Sequence, residues 1–255
     1  PHFQSLIIMS HSRSADRWLF WSLLVLLVWI PLPLGSNRPW AWHLMELVSF
    51  GLVAGWFWLL LRERVVVSKT LRESRGLLGC LLAFAGVILL QLLPLPSAWV
   101  AALRPLDSVL EPAAWTSISI DPHISWIHAR TTLCFTALAF LTVALVNTRD
   151  RLRALAIALV ISGVFQGVYG ALMTLSGIEY GFLIKKAGFH GVATGTFWNR
   201  NHLANYLILS IATGTGLLLA DLYQNASNNW RERGRRMLTT LLSSKVRVRI
   251  GLAMM

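Results

Sequence analysis

The sequence predicts an all-α fold, a polytopic transmembrane helix bundle with six full spans and the start of a seventh. Three observations predict it. Long apolar runs without charge recur along the chain, each long enough to cross a hydrocarbon core. Only 13% of residues are charged and 55% are hydrophobic, against about a quarter charged in an ordinary soluble domain. Twelve Trp are present, and Trp concentrates at membrane–water interfaces. The runs are apolar on every face, which excludes the alternating polarity of a membrane β-barrel.

The runs fall at about 18–35, 41–61, 77–95, 130–147, 152–175 and 203–222, with a further one starting near Val246. The first follows Arg13 and Arg17 and ends in Pro31-Leu32-Pro33-Leu34-Gly35-Ser36. It has no small-x-small cleavage pattern, so it reads as a span and not as a cleaved leader. The second has Trp40, Trp42, Trp56 and Trp58 near its two ends and an acid, Glu46, inside it. An intramembrane acid is a functional candidate by default; pairing with His43 or Arg38 is the alternative. Gly51 with Gly55, and Gly163, Gly167 and Gly170, have the spacing of close helix packing. Cys80 and Cys134 lie in apolar runs and read as free, buried thiols, with no disulfide framework and no metal site.

Charge sets the expected orientation. With residues 1–17 as a cytoplasmic tail, the clusters Arg62 to Arg75, Arg149 to Arg153 and Arg231 to Arg249 all fall inside. Arg38, Arg104, Arg130, Lys185, Lys186 and Arg200 fall on the periplasmic side. The net charge of +12 is then topological signal and attraction to anionic membrane lipids. Nucleic acid is not an expected partner. The basic segment 223–245 is a cytoplasmic loop, and 246–255 begins a span that the sequence cuts short.

Two outer loops hold the unusual content. Loop 94–129 is broken by five prolines and carries Trp99, Trp115 and Trp126. An amphipathic segment around Ala98 to Leu103 suits the interface, and Ser117 to Asp121 alternates like a short strand. Loop 177–202 is richer: glycines allow tight turns, Lys185, Lys186, Arg200, His190 and His202 supply positive or protonatable groups, and Asn199 and Asn201 supply amides. Asn199 or Asn201 is suited to cap the next helix, placing free backbone N–H groups beside Arg200. Helix start, arginine and glycine-rich backbone together suit a phosphate. Snorkelling of Arg200 to headgroups, interfacial anchoring by Lys185 and Lys186, and ordinary loop hydrogen bonding by His190 and His202 are the plainer readings.

The stretch Gly195-Thr196-Phe197-Trp198-Asn199-Arg200-Asn201-His202-Leu203-Ala204 resembles the signature of bacterial O-antigen ligase/polymerase-like membrane glycosyltransferases. Pro31 to Trp42 and Gln91-Leu92-Leu93-Pro94-Leu95-Pro96 are similar to other stretches of that family. The resemblance implies an inner-membrane enzyme taking glycan from an undecaprenyl diphosphate carrier at the periplasmic face. The acceptor is lipid A-core or another glycan. The resemblance also implies that no metal or other cofactor is needed, because the lipid diphosphate is the leaving group. Arg200 and His202 become the catalytic candidates, and Arg200, Asn199, Asn201, Lys186 and His190 the diphosphate-binding ones. Relative to that family the chain corresponds to the N-terminal half; a second large periplasmic loop with further Arg and His residues would follow.

Two other functions are open. A transporter or flippase would place polar groups near the midplane, where only Glu46 and Gln166 intrude; uptake into vesicles without glycan transfer would mark it. A non-catalytic remnant or partner subunit would have the bundle without the transfer reaction.

Overall fold

The computed structural model describes residues 15–103, 114–177, 180–181, 184–186 and 188–224. Most of the expected tail 1–17, and nearly all of the basic loop 223–245 and the start of a span at 246–255, lie outside the described residues. The chain is mostly helical. In order it forms α1 (Arg17–Trp29), α2 (Pro39–Leu61), α3 (Lys69–Glu73), α4 (Arg75–Leu90), β1 (Leu95–Pro96), α5 (Ser97–Leu103), β2 (Trp115–Thr116), α6 (Pro122–Leu145), α7 (Arg149–Ser176), β3 (Tyr180–Gly181), β4 (Ile184–Lys185) and α8 (Arg200–Gln224).

Four helices are long and apolar enough to cross a membrane: α2, α6, α7 and residues Arg200–Asp221 of α8. Their most apolar windows are only 28%, 39%, 28% and 17% buried, so most of each span turns side chains such as Leu47, Phe135, Ile161 and Ile208 outward. Apolar surface on that scale suits lipid rather than water.

The two remaining expected spans are shorter helices. The apolar run at 18–35 continues through Pro31 and Pro33, but α1 ends at Trp29. Pro31 follows directly on Ile30 and disfavours helical backbone there. Thirteen residues extend about 20 Å. The run at 77–95 yields α4, which starts at Arg75 and ends at Leu90 before the Pro94 and Pro96 segment. Its sixteen residues extend about 24 Å, short of a hydrocarbon core of about 30 Å.

Other ends differ from the apolar runs for equally local reasons. The span expected from residue 130 begins at Pro122, inside the expected loop 94–129. Asp121 accepts the Ile124 amide at 3.0 Å, and proline suits the first helical position because its missing N–H has no intrahelical partner there. Ser117 to Asp121 is not a strand: Trp115–Thr116 pairs instead, antiparallel with Leu95–Pro96, in the register Leu95 with Thr116 and Pro96 with Trp115. The Ser119 amide then bonds the Gln91 carbonyl at 3.0 Å. The second ladder pairs Tyr180 with Lys185 and Gly181 with Ile184.

The chain divides into two units. One comprises residues 1–19 and 46–145. In it α4 packs along α6, and Trp56 and Phe57 of α2 meet the Phe140 ring at 5.0 and 5.6 Å. Glu46 is buried and pairs with Arg130 of α6 at 3.9 Å, which replaces the expected pairing with His43 or Arg38. A methyl on Gly55 would sit 3.1 Å from Trp18, whereas Gly51 has nothing within 4 Å. Close packing therefore involves one member of that pair. Cys134 is buried, but Cys80 is exposed on α4, contrary to the expectation of two buried thiols.

The other unit comprises residues 20–45 and 146–255. Its centre is the antiparallel pair α7 and α8. Thr148 caps α7 by accepting the Arg151 amide at 3.3 Å, and Gly177 ends it with a left-handed φ of 68°, a C-terminal conformation that glycine adopts without a Cβ penalty. Gly163 and Gly170 face α8, where Ser210 and Leu203 take the space a side chain would need. The Tyr206 hydroxyl bonds Ser162 at 2.8 Å. At one end of the pair Arg153 binds Asp221 at 3.2 Å. The connection carrying the expected site residues joins the opposite end.

Candidate functional site

The site begins from a helix start. Asn199 caps α8: its side-chain oxygen accepts the Asn201 amide at 2.9 Å, and its carbonyl accepts the His202 and Leu203 amides. Of the two expected capping residues, Asn199 takes the role. Arg200, Asn201 and His202 thus form the first helical turn, and all three are exposed. Among the described residues the Arg200 side chain has no hydrogen-bond or ion-pair partner.

What precedes the cap is buried and locked. Thr194, Gly195 and Thr196 are buried. Gln166, on α7 and fully buried, holds Thr196 from both sides of its amide. Its Oε1 accepts the Thr196 backbone N–H at 2.9 Å, and its Nε2 donates to the Thr196 hydroxyl at 2.7 Å. That hydroxyl in turn donates to the Pro31 carbonyl at 2.5 Å. Gly195 is required here: its φ is +57° and a Cβ would lie 2.7 Å from the Gln166 amide oxygen. This is the local reason for a glycine before Thr196.

The Pro31 carbonyl belongs to the turn that joins α1 to α2. Leu34, Gly35 and Ser36 all have left-handed φ, between 56° and 63°. For Leu34 and Ser36 such a conformation costs roughly 1–2 kcal/mol each. Specific contacts hold it. Leu34 is buried and forms a parallel bridge with Phe197. The Ser36 hydroxyl bonds the Ile30 carbonyl at 2.7 Å, satisfying an orphan acceptor at the end of α1. Gly35 lies under the Phe197 ring, where a Cβ would come within 2.7 Å. Three residues further on, the Arg38 guanidinium lies 5.8 Å from the Trp198 ring centroid, within cation–π range. Two segments far apart in sequence, 31–38 and 194–200, therefore form one structure.

The remaining expected site residues are placed differently. Lys186 is buried, and its ammonium donates to the Phe189 and Val192 carbonyls at 2.8 and 3.1 Å. It organises the backbone of its own loop. His190 is exposed in that loop. Lys185 is exposed on β4, and β3, its partner strand, is tied to α7 by a bond from the Tyr169 hydroxyl to the Tyr180 carbonyl, 2.9 Å. No group of three or more His, Cys, Asp or Glu side chains able to hold a metal occurs among the described residues.

Two residues central to this arrangement carried little signal in the sequence. Gln166 read only as a polar intrusion in an apolar run, and Arg38 as an outer charge, a candidate partner of Glu46 and part of a resembling stretch, with no role at the site. Their partners lie on other elements, at separations that no local pattern encodes. The geometry defines a class: a helical bundle with a rigid, cationic connection at one end of two packed helices. Compared with known families, curated proteins and solved structures, the chain matches no family model, no curated protein and no solved structure.

Proposed function

We propose that this chain is the N-terminal portion of an O-antigen ligase-like glycosyltransferase of the bacterial inner membrane. The reading takes α1 and α4 as further spans beside the four long helices, with the N-terminus cytoplasmic and the 31–38 and 177–202 connections periplasmic. One observation carries it. The resembling segment divides at Asn199 into a buried part, locked by Gln166 and the 31–35 turn, and an exposed part presenting Arg200, Asn201 and His202. A rigid base under a cation with no partner among the described residues is the preorganisation that charge stabilisation requires.

In the proposed reaction an acceptor hydroxyl attacks the anomeric carbon of the carrier-linked glycan. The bond from that carbon to the diphosphate oxygen breaks, and the undecaprenyl diphosphate leaves with the electron pair. Arg200 stabilises the growing charge, assisted by the Asn199-capped helix start and Asn201. His202 accepts the proton of the acceptor, lipid A-core or another glycan. Lys186, committed to two carbonyls, supports the loop and holds His190 near the surface.

The transporter reading leans on Glu46 and Gln166 as polar groups inside spans; Glu46 pairs with Arg130, and the Gln166 amide is spent on Thr196. The test is transfer of glycan from undecaprenyl diphosphate to acceptor in membranes carrying the full protein. Arg200→Ala should reduce transfer at least about 100-fold, the scale of losing a transition-state electrostatic contact. Normal transfer by that variant would overturn the assignment.

A further inference from the structure

Among the described residues, Arg200 is not alone among the cations at this end of the unit in having no acid as a partner. Arg38 stacks on Trp198, and among the described residues its guanidinium has no hydrogen-bond or ion-pair partner. Yet the turn that carries it is built at a cost. Two non-glycine residues hold left-handed backbone, Gly35 fits against a ring, and the Pro31 carbonyl is held by the Thr196 hydroxyl. Helix connections do not need such devices to reverse direction. Here they fix residues 31–38 against residues 194–198, the segment that leads directly into Arg200.

Stacking on Trp198 restrains the Arg38 guanidinium, and a cation–π contact uses the face of the group rather than its N–H edges. Those five edge donors remain available to an acceptor. Of the two described acids of this unit, Asp221 pairs with Arg153 at the far end of α7 and α8, and Asp150 sits in the first turn of α7, at that same end.

We infer that Arg38 is a second anion-binding residue acting with Arg200, and that the pair takes a diphosphate-type polyanion, one arginine from each connection. The inference rests on the diphosphate reading of Arg200. It adds a binding residue from the 31–38 turn, and it gives the Gln166–Thr196–Pro31 chain a purpose: holding the two arginine-bearing segments in register. A diphosphate suits two separately anchored forks better than a monophosphate, because it offers acceptors on two phosphorus centres.

The test is equilibrium binding of radiolabelled farnesyl diphosphate to the purified chain in detergent, with inorganic pyrophosphate and farnesol as competitors. Arg38→Ala and Arg200→Ala should each weaken binding at least about tenfold, the lower end expected for a charge-assisted bond. Arg38→Lys should restore part of the loss, and Arg62→Ala, whose guanidinium stacks on Trp58 at 4.6 Å in the other unit, should bind normally. Pyrophosphate should compete; competition by farnesol alone would show an apolar site and overturn the inference. Binding weakened by Arg200→Ala but unchanged by Arg38→Ala would overturn it while leaving the role of Arg200 intact. No binding by the unmodified chain would remove the diphosphate reading itself. Equal losses in Arg38→Ala and Arg62→Ala would reduce the effect to net charge and overturn it too. Unchanged thermal unfolding of Arg38→Ala, and partial rescue by lysine, separate lost binding from lost folding.

Discussion

The two units solve the same problem, holding polar groups inside apolar helices, by different means. In the first, a charge meets a charge: Glu46 of α2 and Arg130 of α6, 3.9 Å apart, beyond hydrogen-bond length. The second carboxylate oxygen of Glu46 is buried without a hydrogen-bond partner among the described residues. In the second unit, a neutral amide meets a neutral hydroxyl and a backbone N–H, all at 2.7–2.9 Å. The difference lies in where each arrangement ends. The Glu46–Arg130 contact joins two side chains, and both can be replaced. The Gln166 network ends on backbone atoms, the Thr196 N–H and the Pro31 carbonyl, which no substitution short of proline at 196 removes. An ion pair of this kind tolerates apolar replacement; the amide network does not, because stranded backbone groups pay a desolvation penalty.

The largest effect should therefore come from Gln166. Gln166→Leu leaves the Thr196 N–H buried without its acceptor and frees the 194–197 segment. It should cost roughly 2–4 kcal/mol, read as a lowered unfolding midpoint in detergent. Adding Thr196→Val should not recover the loss. Recovery would mean that the backbone groups find other partners and that the two units do not differ in this respect.

A smaller effect separates two glycines. A methyl on Gly163 would run into Cβ and Oγ of Ser210 across the α7–α8 contact, so Gly163→Ala should cost about 1–3 kcal/mol. Ser210→Gly in the same chain should return most of it. Gly51→Ala meets nothing within 4 Å and should be neutral or stabilising by up to about 1 kcal/mol through helix propensity. Equal costs for the two would show that the space beside Gly51 is filled.

The smallest effect should be that of the ion pair. Arg130 is about a third exposed (side chain 32%), so its guanidinium can reach polar surroundings in Glu46→Leu. That variant should cost about 1–2 kcal/mol, less than breaking a fully buried pair. The double replacement Glu46→Leu with Arg130→Leu should return to the starting stability or exceed it. A double variant as unstable as the single would give the pair a structural value that its geometry does not suggest.

The existence of the long helices was legible in the sequence, because apolar runs of that length have few other uses. Their ends were less so. Pro122 read as a breaker, though with Asp121 before it as a cap it starts a helix. The run through Pro31 read as a span, though its helix stops at Trp29. Apolar composition records what a segment is buried in, whereas helix ends depend on which backbone groups find partners. At the site, the Asn199 cap was legible because it is local. Lys186 was not: a lysine beside glycines looks solvated until the chain folds back and surrounds its ammonium with carbonyls. The contact of Gln166 with Thr196 depends on the rotation of α7 and on the path of the connection, neither of which one sequence encodes.

The shortness of α1 has a consequence for depth. On the proposed reading of α1 as a span, a helix of about 20 Å entering a hydrocarbon layer of about 30 Å from one surface would end roughly 10 Å below the other. Irregular backbone at that depth is tolerated only when its polar groups are satisfied from within. The 30–36 turn does this for three of its carbonyls: that of Ile30 is taken by the Ser36 hydroxyl, that of Pro31 by the Gly35 amide and the Thr196 hydroxyl, and that of Leu34 by the Asn37 amide. On the same proposed reading, a headgroup reaching Arg38 would descend below the membrane surface while its hydrocarbon tail stays in the bilayer. Access would depend on membrane thickness, with longer acyl chains lengthening the descent and shorter ones bringing the site to the surface.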